Sequence, residues 1–253
     1  RERGKEFGFS FDNLKLDFGS AVKRSRSVSD RLVRGVGFLM KKNAIDVHMG
    51  AAKLSARDTV QVTDKDGKVS ELKAKNIILA TGASAAGIPG VAVDGEKVVT
   101  YHEAILQTKL PKSVVIIGGG AIGVEFATVW SSYGTEVTIV EMLPRIVPLE
   151  DEEISTELTK AFQKRGIQVL AGTKVQSVET TAEGVRVKVS GADGEKTLDA
   201  EQALMSIGFK PNSKGLGLEE VGVAVSQRGF VEIDERMSTN IPGVWAIGDL
   251  TGK

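Results

Sequence analysis

The chain has 253 residues, and 33 Lys and Arg balance 33 Asp and Glu, so no net field draws it to nucleic acid or to an anionic membrane surface. Its length holds one to two domains with a sizeable core, and no apolar run approaches the ~20 residues that span a bilayer. There is no cysteine, which excludes disulfides and thiolate metal sites, and the two histidines, His48 and His102, have no partner spacing, which argues against a zinc site or a histidine-based triad. These traits fit a cytoplasmic protein. Arg1 in place of Met, a first segment (1–4) that reads like the tail of a helix, and a last segment that stops where a strand hands over to a helix read as an internal fragment.

In chain order, Asp17 reads as the N-cap of a long helix over 18–42. Val22, Ser25, Val28, Leu32, Val36 and Leu39 recur there at three- and four-residue steps and predict one buried stripe. Lys23, Arg24, Arg26, Arg31 and Arg34 fall mostly off that stripe and read as a solvated face. Short strands are expected over 46–49, 59–63 and 69–73, with an Asp66-Gly67 turn, and over 76–80 before Thr81-Gly82. Pro89-Gly90 and the polar stretch to Glu96 form a surface connection, followed by a short helix over 103–107.

Residues 114–141 carry the most specific pattern. Val114, Val115, Ile116 and Ile117 supply a buried strand, and Gly118, Gly120 and Gly123 occupy the G-x-G-x-x-G positions. A helix over 121–133 follows, closed by Gly134, with Ile122, Phe126, Val129, Trp130 and Tyr133 expected inside. A second strand then ends at Glu141, eighteen residues past the third motif glycine. This strand–turn–helix–strand–acid unit is a dinucleotide-binding fingerprint. Gly118 permits the tight turn, Gly120 lets the pyrophosphate approach the backbone, and Gly123 lets the helix pack closely on the sheet. The helix N-terminus offers unpaired N–H groups to the phosphates. The Glu141 carboxylate accepts from ribose hydroxyls and repels a 2′-phosphate, so the pattern favours NAD over NADP. Arg145 stands nearby, with Pro144 turning it elsewhere. A further helix is expected over 151–165, with Ile154, Leu158, Ala161 and Phe162 as its core stripe and Gly166 as its cap.

An internal repeat follows. The 59–62 strand, the Asp66-Gly67 turn and the 77–82 strand recur as 185–189, Asp193-Gly194 and 203–208. From turn glycine to strand-end glycine is 15 residues in the first copy and 14 in the second. In each copy a hairpin precedes a buried strand that ends in glycine, which lets backbone approach a ligand across the sheet edge. Two related nucleotide domains explain this, the first without a glycine fingerprint. The final strand ends in Gly248-Asp249, where a carboxylate suits a sugar-alcohol hydroxyl.

Gly118-Gly119-Gly120-Ala121-Ile122-Gly123-Val124-Glu125, Val140-Glu141, Ala80-Thr81-Gly82-Ala83, Ser206-Ile207-Gly208-Phe209-Lys210-Pro211-Asn212 and the 239–249 stretch resemble the flavin-dependent pyridine nucleotide–disulfide oxidoreductases. The likeness runs over essentially the whole chain. It implies an α/β fold with two Rossmann-like FAD/NAD(P)-binding domains, each a three-layer unit with a β-meander, the NAD domain being inserted in an incomplete FAD domain. The implied spans are 1–103 for the FAD-binding domain, without its N-terminal part, 104–208 for the NAD-binding domain, and 209–253 for a linker and return to the FAD-binding domain. FAD contacts are implied for Ala52, Thr81, Gly82 and Asp249. NAD contacts are implied for Gly118, Gly119, Gly120, Ala121, Ile122, Gly123, Val124, Glu125, Glu141, Val175 and Gly208. Phe209 departs from the Arg that many members carry there. The nearest members oxidise dihydrolipoamide with NAD+, act on the lipoyl domain of 2-oxo acid dehydrogenase complexes and pair as homodimers. NADH oxidase, transhydrogenase and mercuric or glutathione reductase relatives remain open. The family's C-x4-C disulfide and its His–Glu acid–base pair have no counterpart here, so no catalytic residue is assigned.

Overall fold

The computed structural model describes residues 4–8 and 10–253. Of the opening segment read as a helix tail, positions 1–3 lie outside the described residues, and Gly4–Phe7 form a 3-10 turn. In chain order α1 spans Phe18–Lys42, followed by β1 (Ala51–Ala56), β2 (Thr59–Thr63), β3 (Val69–Lys73), β4 (Ile77–Leu79) and β5 (Ala83–Ala85). Next come β6 (Val98–Val99), α2 (Tyr101–Ala104), β7 (Ser113–Ile117), α3 (Ala121–Tyr133), β8 (Glu136–Val140), α4 (Glu152–Lys164) and β9 (Gln168–Leu170). The remainder is β10 (Lys174–Thr180), β11 (Val185–Gly191), β12 (Gly194–Ala200), β13 (Gln202–Met205), β14 (Phe209–Pro211), α5 (Leu218–Val221) and β15 (Val244–Ala246). No helix among the described residues is long and apolar enough to cross a membrane.

The chain divides into two compact units. The first takes the residues up to Val33 together with Val91–Met205. Its centre is a five-stranded parallel sheet in the order β6-β13-β7-β8-β9. Parallel strands are buried on both faces, so they read as continuous apolar runs rather than alternating ones. Val114, Val115, Ile116 and Ile117 are all buried, as are Ala203, Leu204 and Met205 beside them. On one face Val114, Ile116, Val137, Ile139 and Leu204 pack with Ala127 and Trp130 of α3 and Phe162 of α4. The antiparallel meander β10-β11-β12 packs on the sheet through β12 against β7.

The helices start and stop where their caps dictate. Asp151 Oδ1 accepts from the Glu153 N–H at 2.9 Å, and Gly134 ends α3 in the left-handed conformation (φ 102°). The helix expected over 103–107 starts instead at Tyr101. Thr100 caps it, its hydroxyl accepting from the His102 N–H while the Glu103 carboxylate accepts the Thr100 N–H at 2.8 Å. That reciprocal pair is a capping box and fixes the helix start. The expected stripes shift as well. In α4, Ile154 and Ala161 are exposed, and the inward face is Ser155, Leu158 and Phe162. Ser155 is turned inward by its hydroxyl, which donates to the Val147 carbonyl at 3.2 Å. In α3, Val129 is exposed and Ala127 and Trp130 take the core positions.

The second unit takes Arg34–Gly90 and Ser206–Lys253. It holds the meander β1-β2-β3, the parallel pair β4-β15 and the antiparallel pair β5-β14. Ile77, Leu79, Val244, Ala246 and Leu250 form its core with Leu54 and Leu218. The strand expected over 46–49 is absent: those residues have no ladder partner among the described residues, and pairing begins at Ala51 opposite Thr63. Both copies of the internal repeat fold alike, each a three-stranded meander followed by a parallel strand and a positive-φ glycine, Gly82 (φ 66°) or Gly208 (φ 122°).

The division passes through α1 between Val33 and Arg34. Asp17 caps this helix as expected, its Oδ1 accepting from the Ser20 N–H at 2.9 Å. Phe18 meets Tyr133 edge to face at 5.2 Å between ring centroids. The buried stripe does not form. Val22 alone of its members is buried, while Leu32 and Val36 are 66% and 53% exposed and Val28 and Leu39 are exposed too. Periodicity marks the face that gains from apolar cover, but no element among the described residues supplies that cover beyond the first turns.

Candidate functional site

Three adjacent glycines at the carboxyl end of β7 are present for three different reasons. Gly118 lies at φ 106°, where L side chains are strained, and its N–H donates to the Val140 carbonyl at 2.8 Å, turning the chain off the strand. Gly119 has an ordinary φ, but a Cβ there would stand 2.7 Å from Ile146 Cγ2 and 3.3 Å from Glu141 Cβ. Gly120 has an unstrained backbone (φ −75°, ψ −172°), and a Cβ added to it would meet nothing within 4 Å. Neither backbone angle nor packing requires a glycine at 120. Open space at that point, in front of the first turn of α3, is what a close-lying phosphate requires.

Gly120 is the N-cap of α3 and makes no side-chain cap bond, and helix geometry leaves the following N–H groups without an intrahelical acceptor. Ala121 and Ile122 open the helix, Gly123 is buried at the sheet, Val124 is half-buried and Glu125 is exposed on the first turn. Glu141 directly follows the neighbouring strand β8 and is only 8% exposed. Its Oε2 accepts from the Gly119 N–H at 2.7 Å, and its Oε1 accepts from the Leu143 N–H at 2.8 Å. Each carboxylate oxygen has a second lone-pair direction, so two acceptor positions remain. Arg145 turns away as Pro144 suggests, its guanidinium 3.8 Å from the Glu152 carboxylate at the start of α4.

The segment after Glu141 closes over the turn from outside. Ile146 is completely buried, the Val147 N–H donates to the Gly119 carbonyl at 2.7 Å, and the Val147 carbonyl accepts from Ser155 Oγ and the Glu150 N–H. Val147 stands at φ 41°. That left-handed backbone costs a β-branched residue about 1–3 kcal/mol, and the surrounding bonds hold it there. Val175, in β10, is half-buried at the start of the second meander.

The other expected positions lie in the second unit. Gly82 follows β4 and Gly248 follows β15, adjacent parallel strands, and both are positive-φ glycines with open space at the missing Cβ. Asp249 is exposed directly after Gly248, and Ala52 is exposed on β1. The Thr81 hydroxyl donates to the Asn212 carbonyl at 2.8 Å, and the Asn212 amide donates back to the Thr81 carbonyl at 3.0 Å. Gly208, also in this unit, has open space at its missing Cβ. Crevices outside the carboxyl ends of parallel strands are where open α/β sheets bind ligands.

The sequence profile of the pyridine nucleotide-disulphide oxidoreductases matches residues 5–253. The chain belongs to this family. Its relatives include a dihydrolipoyl dehydrogenase of Mycobacterium leprae, 45% identical over 256 aligned residues that take in 100% of this chain and 54% of the relative. A second, from Chlorobaculum tepidum, is 42% identical over 97% of this chain and 52% of its own length. Among solved structures, LpdA of Mycobacterium tuberculosis superposes with a TM-score of 0.89 at 28% identity, covering 99% of this chain and 55% of that one. The HOCl-induced flavoprotein disulfide reductase RclA of Escherichia coli superposes at 0.78, at 27% identity, over 94% of this chain and 53% of its own. The chain therefore spans about half the length of the relatives it matches. Members of this oxidoreductase family use FAD and NAD, and the α/β fold with Rossmann-type domains agrees with the sequence reading.

Sequence reasoning did not reach Ile146 and Val147. They sit in an aperiodic loop, and only the three-dimensional packing reveals that one fills the space beside Gly119 and the other binds its carbonyl.

Proposed function

We propose that this chain is the nucleotide-carrying part of an NAD-linked flavoprotein oxidoreductase of the dihydrolipoamide dehydrogenase kind. The reaction of such an enzyme is dihydrolipoamide + NAD+ → lipoamide + NADH + H+. The unit built around β7 is the NAD-binding domain, and the unit containing β4 and β15 belongs to an FAD-binding domain. The observation that carries the reading is Gly120, a glycine that neither φ nor packing requires, facing open space at a helix N-terminus. Glu141 supports it, with one lone pair of each carboxylate oxygen committed to backbone and the other left for a ribose hydroxyl.

When bound, FAD and NAD supply the electron and hydride transfer. The residues of this chain bind and orient them. The N–H groups of Gly120, Ala121 and Ile122 face the pyrophosphate, Glu141 takes the adenosine ribose, and Val124, Glu125 and Val175 line the rest of the path. Gly82, Thr81, Ala52 and Asp249 serve FAD, with Asp249 accepting from the ribityl chain. The chain contains no cysteine, so dithiol–disulfide exchange finds no partner sulfur in it, and it does not oxidise dihydrolipoamide alone. In the complete enzyme the substrate is carried on the lipoyl domain of a 2-oxo acid dehydrogenase complex, and the enzyme is a cytoplasmic homodimer. Another flavoprotein disulfide reductase is the second reading, supported by the likeness to RclA at 27% identity. The 42–45% identity to dihydrolipoyl dehydrogenases favours the first.

Fluorescence titration with NADH and NADPH tests the nucleotide assignment. The parent binds NADH in preference, and Glu141→Ala narrows the preference about tenfold or more by removing the charge opposite a 2′-phosphate. An unchanged NADH-to-NADPH ratio in Glu141→Ala contradicts the assignment.

A further inference from the structure

We propose that Ile146 and Val147 are positioning residues for the dinucleotide turn, acting through Gly119. The inference rests on the reading that this turn binds NAD. Gly119 lies between the turn glycine Gly118 and the ligand-facing Gly120, and all of its contacts are spoken for within the protein. Its N–H goes to Glu141 Oε2 at 2.7 Å and its carbonyl accepts the Val147 N–H at 2.7 Å. Its absent side chain leaves a space that Ile146 Cγ2 occupies. Gly119 thus offers no N–H to a phosphate. It is the joint through which the loop after β8 fixes two ligand-facing groups, the Gly120 backbone on one side and the Glu141 carboxylate on the other.

The loop is itself anchored. The Gly172 N–H donates to the Leu143 carbonyl at 2.8 Å, the Thr173 N–H donates to the Glu141 carbonyl at 2.9 Å, and Ser155 of α4 holds the Val147 carbonyl. Val147 keeps its left-handed backbone (φ 41°) because the N–H and carbonyl must point at these two partners. A buried Ile146 and a constrained Val147 therefore convert the packing of α4 into a fixed distance between the acid and the glycine turn. Binding sites of this kind work when supporting residues hold the contact groups in place before the ligand arrives.

A double-mutant cycle read by NADH affinity tests the idea, with the melting temperature measured on the same samples. Gly119→Ala pushes a methyl against Ile146 Cγ2 and weakens NADH binding on the order of tenfold, since a misplacement near 1 Å costs that much or more. It also lowers the NADH-to-NADPH preference, because Glu141 moves with the joint. Ile146→Ala weakens binding by loosening the loop. In the double variant the methyl added at position 119 enters the vacated space, leaving Ile146 Cβ at 3.2 Å as the nearest contact. NADH affinity then recovers relative to Gly119→Ala although the melting temperature does not. That recovery of affinity in a variant still less stable than the parent is the supporting result, because a role in stability alone makes affinity follow the melting temperature. Effects on affinity that multiply, or a Gly119→Ala chain that binds and discriminates as the parent does, overturn the proposal. The Gly120→Val control separates the two readings. If the folded parent binds no NADH, the nucleotide assignment fails and the positioning role falls with it. If the parent binds and only Gly120→Val loses binding, the positioning role alone is wrong.

Discussion

The two units bury their parallel strands to different extents. In the first, β7 has β13 and β8 on either side, helices on one face and a meander on the other, and its four apolar residues are all buried. In the second, β4 pairs with β15, buries Ile77 and Leu79, and leaves Ile78 63% exposed, while its share of α1 leaves Val36 and Leu39 open. A parallel sheet is stable when both faces are covered. Within the described residues the first unit meets that requirement and the second does not. The contrast separates the glycine turn proposed for NAD, set on a closed core, from the positions proposed for FAD, set on a more open one.

The largest expected difference is in core truncation. Ile116→Ala removes a fully buried side chain from the centre of the first unit and destabilises it by about 2–5 kcal/mol. Val36→Ala, on the open face of α1 within the second unit, changes stability by no more than ~0.5 kcal/mol. Chemical denaturation of both variants measures this, and equal losses would show that the α1 face is covered in solution.

A smaller effect concerns the cap of α2. The Thr100 hydroxyl and N–H bond the Glu103 carboxylate, and these bonds outweigh its partial burial and hold its pKa below the usual glutamate range. A depressed carboxyl contributes stability above its unfolded pKa and loses it as pH falls through the lower folded value. The contribution is therefore complete at neutral pH and disappears below pH ~4. Thr100→Ala should cost about 0.5–2 kcal/mol at pH 7 and less at acid pH. A loss that stays constant from pH 7 to the acid limit contradicts the assignment of Glu103 to the cap.

These regions also differ in how far the sequence reveals them. The strand from Val114 to Ile117 is a β-branched apolar run leading into glycine, and a run of that kind specifies its own burial. Asp17, Asp151 and Gly134 cap helices through local geometry, so they are legible without tertiary context. The α1 stripe is not, because three- and four-residue spacing identifies the apolar face but says nothing about a neighbour. The strand at Ala51–Ala56 is weakly β-prone, and its pairing with β2 decides its position. At the candidate site the motif glycines and Glu141 were legible from spacing. Ile146 and Val147 were not, since their role depends on a contact across the turn.

NADH titration of Gly120→Val against the parent, with both melting temperatures recorded, tests the central claim most directly. A valine Cβ meets no protein atom, so the variant should lose only the ~1 kcal/mol by which valine is the poorer N-cap of α3 and stay folded. It should nevertheless lose NADH binding on the order of 100-fold, because the side chain stands where the pyrophosphate must approach the backbone. Binding equal to that of the parent in a folded Gly120→Val chain would contradict the account.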